Sequence, residues 1–307
     1  MTDRRDFLKT ISLMTGATLV SQELLSGSLS MLAPEQIACQ QYTWYSYFLR
    51  EGENWLEDAQ VSFDAFIKSG LLGYEPSFTN PEEVMPLHTI MEKYKVWTKS
   101  MYVNSALHEP ELVEQSMADI LAIAKKAKQI GIEILVTNPT PIRWGGPENK
   151  TDEQLQTQAL ALNVLGKELK TMGLTLAYHN HDAEMRESAR EFHHMLTGTE
   201  SENVKLCLDA HWIYRGSGNS QVALFDIVAM YADRIVELHL RQSHNGIWSE
   251  VFDEGDIDYK RLAKVLKNKG ISPQIVLEQA IEEGTPYTMN SVQAIGKSLI
   301  NVMKVFN

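Results

Sequence analysis

The feature that most constrains this chain is a rhythm. After residue 36, short β-branched or apolar runs alternate with longer segments of helical period, and no linker divides them. The runs with strand character are Ile37 to Trp44, Leu71 to Glu75, Val96 to Val103, Ile132 to Asn138, Leu174 to Asn180, Val204 to Asp209, Ile235 to Leu240 and Gln274 to Gln279. Between them, apolar residues recur at three- and four-residue spacing, as Val113, Met117, Ile120, Leu121 and Ala124 do, which is the pattern of a helix with one face on a core. Gly70, Gly131, Gly173 and Gly270 stand just before the next strand, the usual place of a helix C-cap. Eight such units over residues 37–307 predict an α/β fold, a single-domain (β/α)8 or TIM barrel. A doubly wound open sheet is the alternative, but no GxGxxG follows the first run and no GxxxxGKS/T occurs anywhere.

Charge and cysteine content narrow the function. Asp and Glu number 40 against 28 Lys and Arg, a net charge of −12, so the field repels phosphate backbones and anionic lipid and disfavours nucleic acid as a partner. The two cysteines, Cys39 and Cys207, form no CxxC pair, so a metal site must draw on His, Asp and Glu.

In such a barrel, polar side chains at the C-terminal ends of strands face the mouth. The fifth run ends in Tyr178-His179-Asn180-His181-Asp182 and the sixth in Leu208-Asp209-Ala210-His211-Trp212. The seventh reads Glu237-Leu238-His239-Leu240-Arg241 and the eighth Leu277-Glu278-Gln279. Strand alternation points His179 and His181, Cys207, Asp209 and His211, and Glu237, His239 and Arg241 inward. His179, Asp209 and His239 are each 30 residues apart, about one βα unit, which predicts similar heights on consecutive strands. With Glu278 they form a convergent two-histidine, two-carboxylate set suited to one divalent ion such as Mn²⁺, Mg²⁺, Co²⁺ or Zn²⁺. Taken singly, the same residues have structural readings: Asp209 as a helix cap, His239 as an interior histidine, Glu278 as the ion-pair partner of Arg241.

These motifs, together with Gly255-Asp256-Ile257-Asp258, resemble the xylose isomerase-like barrels grouped as sugar phosphate isomerases/epimerases, of which the AP endonucleases are a distant branch. The resemblance covers about residues 37 to 307. It implies a divalent metal held by a Glu from strand five, an Asp from strand six, a His from strand seven and a Glu from strand eight. The last three positions are Asp209, His239 and Glu278, whereas the first is His179, an imidazole where a carboxylate is expected. The resemblance also implies proton transfer beside a sugar carbonyl through two metal-bound glutamates, of which only Glu278 is present. A metal-bound imidazole has committed its lone pair, so a second base must come from His181, His211 or Glu75, unless His181 is the ligand and His179 the base.

Arg241, Trp212, Trp144 and Glu75 are candidate substrate contacts, and Trp44 and Trp248 also follow strand ends. Asp258 reads as the N-cap of the helix through Leu262 and Val265. His193 and His194 read as peripheral.

At the N-terminus, Thr2-Asp3-Arg4-Arg5-Asp6-Phe7-Leu8-Lys9 precedes a small-residue-rich apolar stretch from Thr10 to Leu25 and resembles the bacterial twin-arginine export signal. Thr15, Gly16, Thr18, Ser21 and Gln22 interrupt that stretch, so stable membrane insertion is not expected. The organisation expected is an export signal over residues 1–30 and a barrel over 37–307, located in the periplasm.

The sequence therefore predicts a metal-dependent isomerase or epimerase acting beside the carbonyl of an unphosphorylated sugar or keto-sugar. Alternatives are a 3-keto-glycoside lyase or hydratase on the same site, and a catalytically silent sugar-binding barrel. The nuclease branch is disfavoured by net charge and by too few strand-end ligands.

Overall fold

The computed structural model describes residues 36–307, and the export segment expected over residues 1–30 lies outside the described residues. Eight parallel strands form the barrel: β1 (Ile37–Gln40), β2 (Gly73–Glu75), β3 (Ser100–Ser105), β4 (Ile134–Pro139), β5 (Thr175–His179), β6 (Val204–Asp209), β7 (Ile235–Leu240) and β10 (Gln274–Leu277). They pair in the order β2-β1-β10-β7-β6-β5-β4-β3. Between the outermost two, the ring is completed by bonds from the Tyr74 and Phe78 amides to the Trp97 and Tyr102 carbonyls, at 2.9 and 3.0 Å. Gly73 is required at this seam, because a Cβ there would lie 2.3 Å from the Trp97 ring.

Ten α-helices surround the described barrel: α1 (Gln41–Glu51), α2 (Ala59–Lys68), α3 (Val84–Tyr94), α4 (Pro110–Ala127), α5 (Asp152–Thr171), α6 (Arg186–Thr197), α7 (Ala210–Gly216), α8 (Gln221–Tyr231), α9 (Tyr259–Asn268) and α10 (Ser291–Phe306). Capping boxes start α5 at Thr151 and α10 at Asn290, and Asp258 caps α9 by accepting from the Arg261 amide at 2.9 Å. Among the described residues, no helix is long and apolar enough to cross a membrane.

The apolar core lies mainly between strands and helices. Leu174, Leu176 and Tyr178 point outward into it, whereas Ala177 and Cys207 belong to a small separate cluster inside the barrel with Tyr102, Ile134 and Val136. This is the facing expected from strand alternation.

Most of the other strand bounds shift by one or two residues, and three departures from expectation are larger. The first run stops at Gln40, whose side chain accepts from the Tyr42 amide and starts α1 at once. Trp44 is therefore a helical residue, fully buried against Trp55 and Phe66 with ring centroids 5.0 and 5.6 Å apart, and not a mouth aromatic. The third strand begins at Ser100, because the Val96 amide still closes the end of α3 on the Met91 carbonyl and Trp97 bridges to Gly73 at the seam. A short hairpin, β8 (Ser243–His244) and β9 (Ile247–Trp248), rises above β7 and was not expected.

Removing the indole of Trp44 leaves a large void in this aromatic cluster. Trp44→Ala is expected to destabilise the fold by about 3–5 kcal/mol in urea unfolding followed by circular dichroism.

Candidate metal centre and substrate cavity

The site is built by parallel pairing at the ends of four strands. Register sets Asp209 beside His239 on β6 and β7, but His179 on β5 pairs with Cys207, one pleat lower. Equal spacing of 30 residues therefore does not give equal height, because neighbouring strands of a closed barrel are staggered and the β6–β7 pairing shifts at Leu206. The stagger still brings His179 Nε2 to 3.9 Å from Asp209 Oδ2. His179, Asp209, His239 and Glu278 each offer one ligand atom, and these four atoms lie within 4.8 Å of one another.

Asp209 combines the structural and the functional reading. Its Oδ1 accepts the Trp212 amide at 2.8 Å and caps α7, while its buried Oδ2 has no hydrogen-bond partner. Asn180 fixes this strand end through its side chain, which accepts from the Asp209 amide and donates to the Asp209 carbonyl at 3.2 and 3.1 Å. Both ring nitrogens of His179 are also buried without hydrogen bonds. Orphaned buried donors and acceptors of this kind are costly, and here they converge with the chemistry of an imidazole and carboxylate ligand set. The four residues fit a divalent ion.

Electrostatics follow from burial. Burial pushes the Asp209 carboxyl up to about 7 against the pull of Arg241. It lowers the His179 imidazole well below its ordinary value, with His239 and His181 adding to the effect. For His239 burial acts in the same direction, but the surrounding acidic groups, including Glu75 and Glu278, prevail and raise it well above the usual histidine range. Glu278 is also opposed by burial, yet Arg241 and His239 hold it below the usual carboxylate range. Arg241 NH2 and His239 Nδ1 each lie 3.1 Å from Glu278 Oε2.

Above this centre opens a cavity of about 460 Å³. Tyr42, Phe78, Tyr102, Trp144, Trp212 and Trp248 give it aromatic walls, while Glu278, Arg241 and His181 supply its ionisable groups. The Arg241 guanidinium lies 4.2 Å from the Trp248 ring centroid and 5.2 Å from that of Trp212, and its NH1 is buried without a partner. Its ion-pair partner is Glu278, not Glu237. Burial lowers His181 to about 4, so it meets the cavity as a neutral imidazole, with the Trp144 ring edge-on 5.1 Å away.

Two expected site residues stand elsewhere. Glu75 does not line the cavity: it is fully buried inside the barrel, with its Oε2 3.1 Å from His239 Nε2. Burial, with Glu237 adding, pushes its carboxyl up to about 8 against the opposing pull of His239. His211 is fully buried and does not line the cavity. Its Nε2 lies 3.0 Å from Ser243 Oγ, which donates to Asp256 Oδ2 at 2.7 Å. Asp256 also accepts the Asn245 and Gly246 amides at 2.9 and 2.8 Å and so anchors the β8–β9 hairpin that carries Trp248.

Several residues escaped the sequence reading. Glu184 Oε2 accepts the His181 amide at 2.7 Å, and Asn138 bridges the His179 carbonyl and Glu184 Oε1 at 3.0 and 3.1 Å. Gln40, Ser77 and Asn104 line the cavity from the first three strands. Gln40 and Asn104 were within reach of the same strand-end rule that found Asp209, whereas Glu184 lies in a 3-10 turn of three residues, Ala183–Met185, too short to give a periodic signal.

Comparison with known proteins also finds a barrel of this kind. Residues 68–299 match the family model described as xylose isomerase-like TIM barrel. The chain belongs to that family. Among curated relatives, an inosose dehydratase of Clostridium perfringens is 24% identical over 239 residues, covering 68% of this chain and 78% of the relative. Among solved structures, a sugar phosphate isomerase/epimerase of Parabacteroides distasonis superposes with a TM-score of 0.67 at 15% identity, covering 89% of this chain and 95% of the other. A xylose isomerase-like TIM barrel protein of Mycobacterium smegmatis in complex with magnesium gives 0.67 at 13% identity, covering 90% and 98%. At these identities the structural likeness concerns the fold.

The donor set predicts about one divalent ion per chain by mass spectrometry of the metal-loaded protein. His239→Ala and Asp209→Asn should each lose most of it. Asn at 209 retains an oxygen able to cap α7, so the Asp209→Asn variant should keep its circular dichroism spectrum.

Proposed function

We propose that this chain is a metal-dependent enzyme that moves a proton at the carbon beside the carbonyl of an unphosphorylated sugar or keto-sugar. The observation that carries the reading is the position of Glu278, a carboxylate that both joins the four-residue ligand set and faces the aromatic-walled cavity. A divalent ion held by His179, Asp209, His239 and Glu278 would polarise the carbonyl oxygen and acidify the neighbouring C–H. Glu278 is ionised at neutral pH and is the carboxylate among the cavity-lining residues, so it is assigned the role of base. Arg241 holds Glu278 in place and directs its free NH1 as a donor for substrate oxygens. The Trp144, Trp212 and Trp248 faces exclude water and stack on the sugar ring. An acidic chain whose cavity has Arg241 as its one strong cation, among the described residues, favours a neutral sugar over a phosphorylated one.

A second reading, elimination, draws on a specific observation. Epimerisation by two bases needs a proton acceptor on each face of the carbon, yet His179 occupies the position where a second carboxylate is expected, and one of its nitrogens belongs to the ligand set. With Glu278 removing the proton, the same carboxyl, now protonated, can hand that proton to a departing hydroxyl or glycosidic oxygen on the same face, while neutral His181 at the cavity wall donates a hydrogen bond to that oxygen. The inosose dehydratase relative is in keeping with this reading.

Incubating the metal-loaded enzyme with a panel of keto-sugars and 3-keto-glycosides in D2O separates the two. Deuterium incorporation with unchanged molecular formula marks isomerisation or epimerisation, and release of water or an aglycone marks elimination. In either case Glu278→Gln should lower the rate about 10²- to 10⁴-fold, and metal-independent sugar binding without deuterium exchange would sink the enzyme reading. We also propose that residues 1–30 direct export to the periplasm. Replacing Arg4 and Arg5 by lysine should leave the protein in the cytoplasmic fraction of a bacterial host.

A further inference from the structure

Beneath the four proposed ligands lies a second pair of carboxylates that the reaction does not use. Glu75 on β2 and Glu237 on β7 are fully buried, and neither lines the cavity. Glu75 Oε1 and Oε2 and Glu237 Oε2 have no hydrogen-bond partner, and Glu237 Oε1 accepts from Cys207 Sγ at 3.5 Å. Both acids converge on the same atom, His239 Nε2, with Glu75 Oε2 at 3.1 Å and Glu237 Oε1 at 3.3 Å. The other ring nitrogen, Nδ1, faces Glu278 in the ligand set. An imidazole gives a metal one nitrogen and keeps its proton on the other, and the neighbour of the protonated nitrogen decides which is which.

We infer that Glu75 and Glu237 are positioning residues: they hold the proton on His239 Nε2, turn Nδ1 toward the ligand set, and make this imidazole a stronger metal ligand. The inference rests on the metal reading above. It explains why two acids lie inside a barrel where no substrate reaches them, since burying a carboxylate without a partner is costly.

The test uses the full chain stripped of metal by a chelator and titrated with Co²⁺ against a chromophoric competitor, in wild type, Glu75→Gln and Glu237→Gln. The two variants guard against one failing to fold. The expected result is one Co²⁺ per chain in all three, with affinity about 10- to 100-fold lower in each variant and an altered visible Co²⁺ spectrum. The melting temperature of the metal-free variants should stay close to that of wild type, because glutamine keeps the shape of the buried side chain. Unchanged affinity and spectrum would overturn the assignment, as would a melting temperature that falls with the affinity, which marks a purely structural role. Two Co²⁺ ions on wild type would overturn it in favour of a second cation held by Glu75 and Glu237. No Co²⁺ on wild type would remove both this inference and the metal reading, whereas binding indifferent to the two variants would remove the inference alone.

Discussion

His239 is the pivot on which the interior of the barrel is arranged. Its ring lies between Glu278 on one side and Glu75 and Glu237 on the other, all of them buried. A cluster of acids at the centre of a protein is unfavourable unless opposite charge or hydrogen bonds answer it. Here the answer comes from one imidazole, from the Arg241 guanidinium and from a ligand set able to take a cation. The fold can carry this load because its stabilising apolar surface lies elsewhere. Leu176, Tyr178, Leu206, Leu208, Leu238 and Leu240 face the helices, and the interior apolar cluster is small.

The mouth above this centre is shaped by local restraints outside the barrel strands. Asp256 gathers the hairpin amides, and Glu282 accepts from Arg215 at 2.7 Å and from the Trp248 amide at 2.8 Å. Trp248 is therefore fixed from both flanks, and the Arg241 guanidinium is held against a rigid ring. The loop bearing Trp144 is tied down in a comparable way, through Arg186 NH1 to the Gly146 carbonyl at 2.9 Å and Lys150 Nζ to Glu191 at 2.7 Å. Trp144 itself stays more than half exposed at the rim. The walls of the cavity thus combine fixed inner aromatics with an outer one that meets solvent.

The barrel was legible in the sequence because it repeats. β6 and β7 have the bounds read from the pattern, and the inward facing of Ala177 and Cys207 follows from the two-residue period. The four ligand candidates were legible because each ends a strand in one repeat, and the structure brings their donor atoms together. Three kinds of information were out of reach. Stagger between strands lowers His179 to the level of Cys207, and spacing along one chain carries no record of it. Trp44 reads as strand because β-branched and aromatic neighbours favour either state, and the Gln40 cap decides for helix. Glu75 reads as a mouth residue because it ends its strand, but its side chain turns to His239 and not to the cavity, and strand-end position carries no record of that turn.

The strand order assigns β10 a special place. It carries Glu278 at its end and lies between β7 and β1, with Ile37 paired to Ile275. The first and last strands of the described chain are therefore joined across nearly its full length, and contacts between residues so distant in sequence form late. Glu278 meets His239 across the other edge of the same strand, where β10 pairs with β7. Assembly of the proposed centre is then coupled to docking of the last strand: a chain lacking it keeps His179, Asp209 and His239 but lacks Glu278, so partially synthesised or clipped protein holds an incomplete set of candidate ligands.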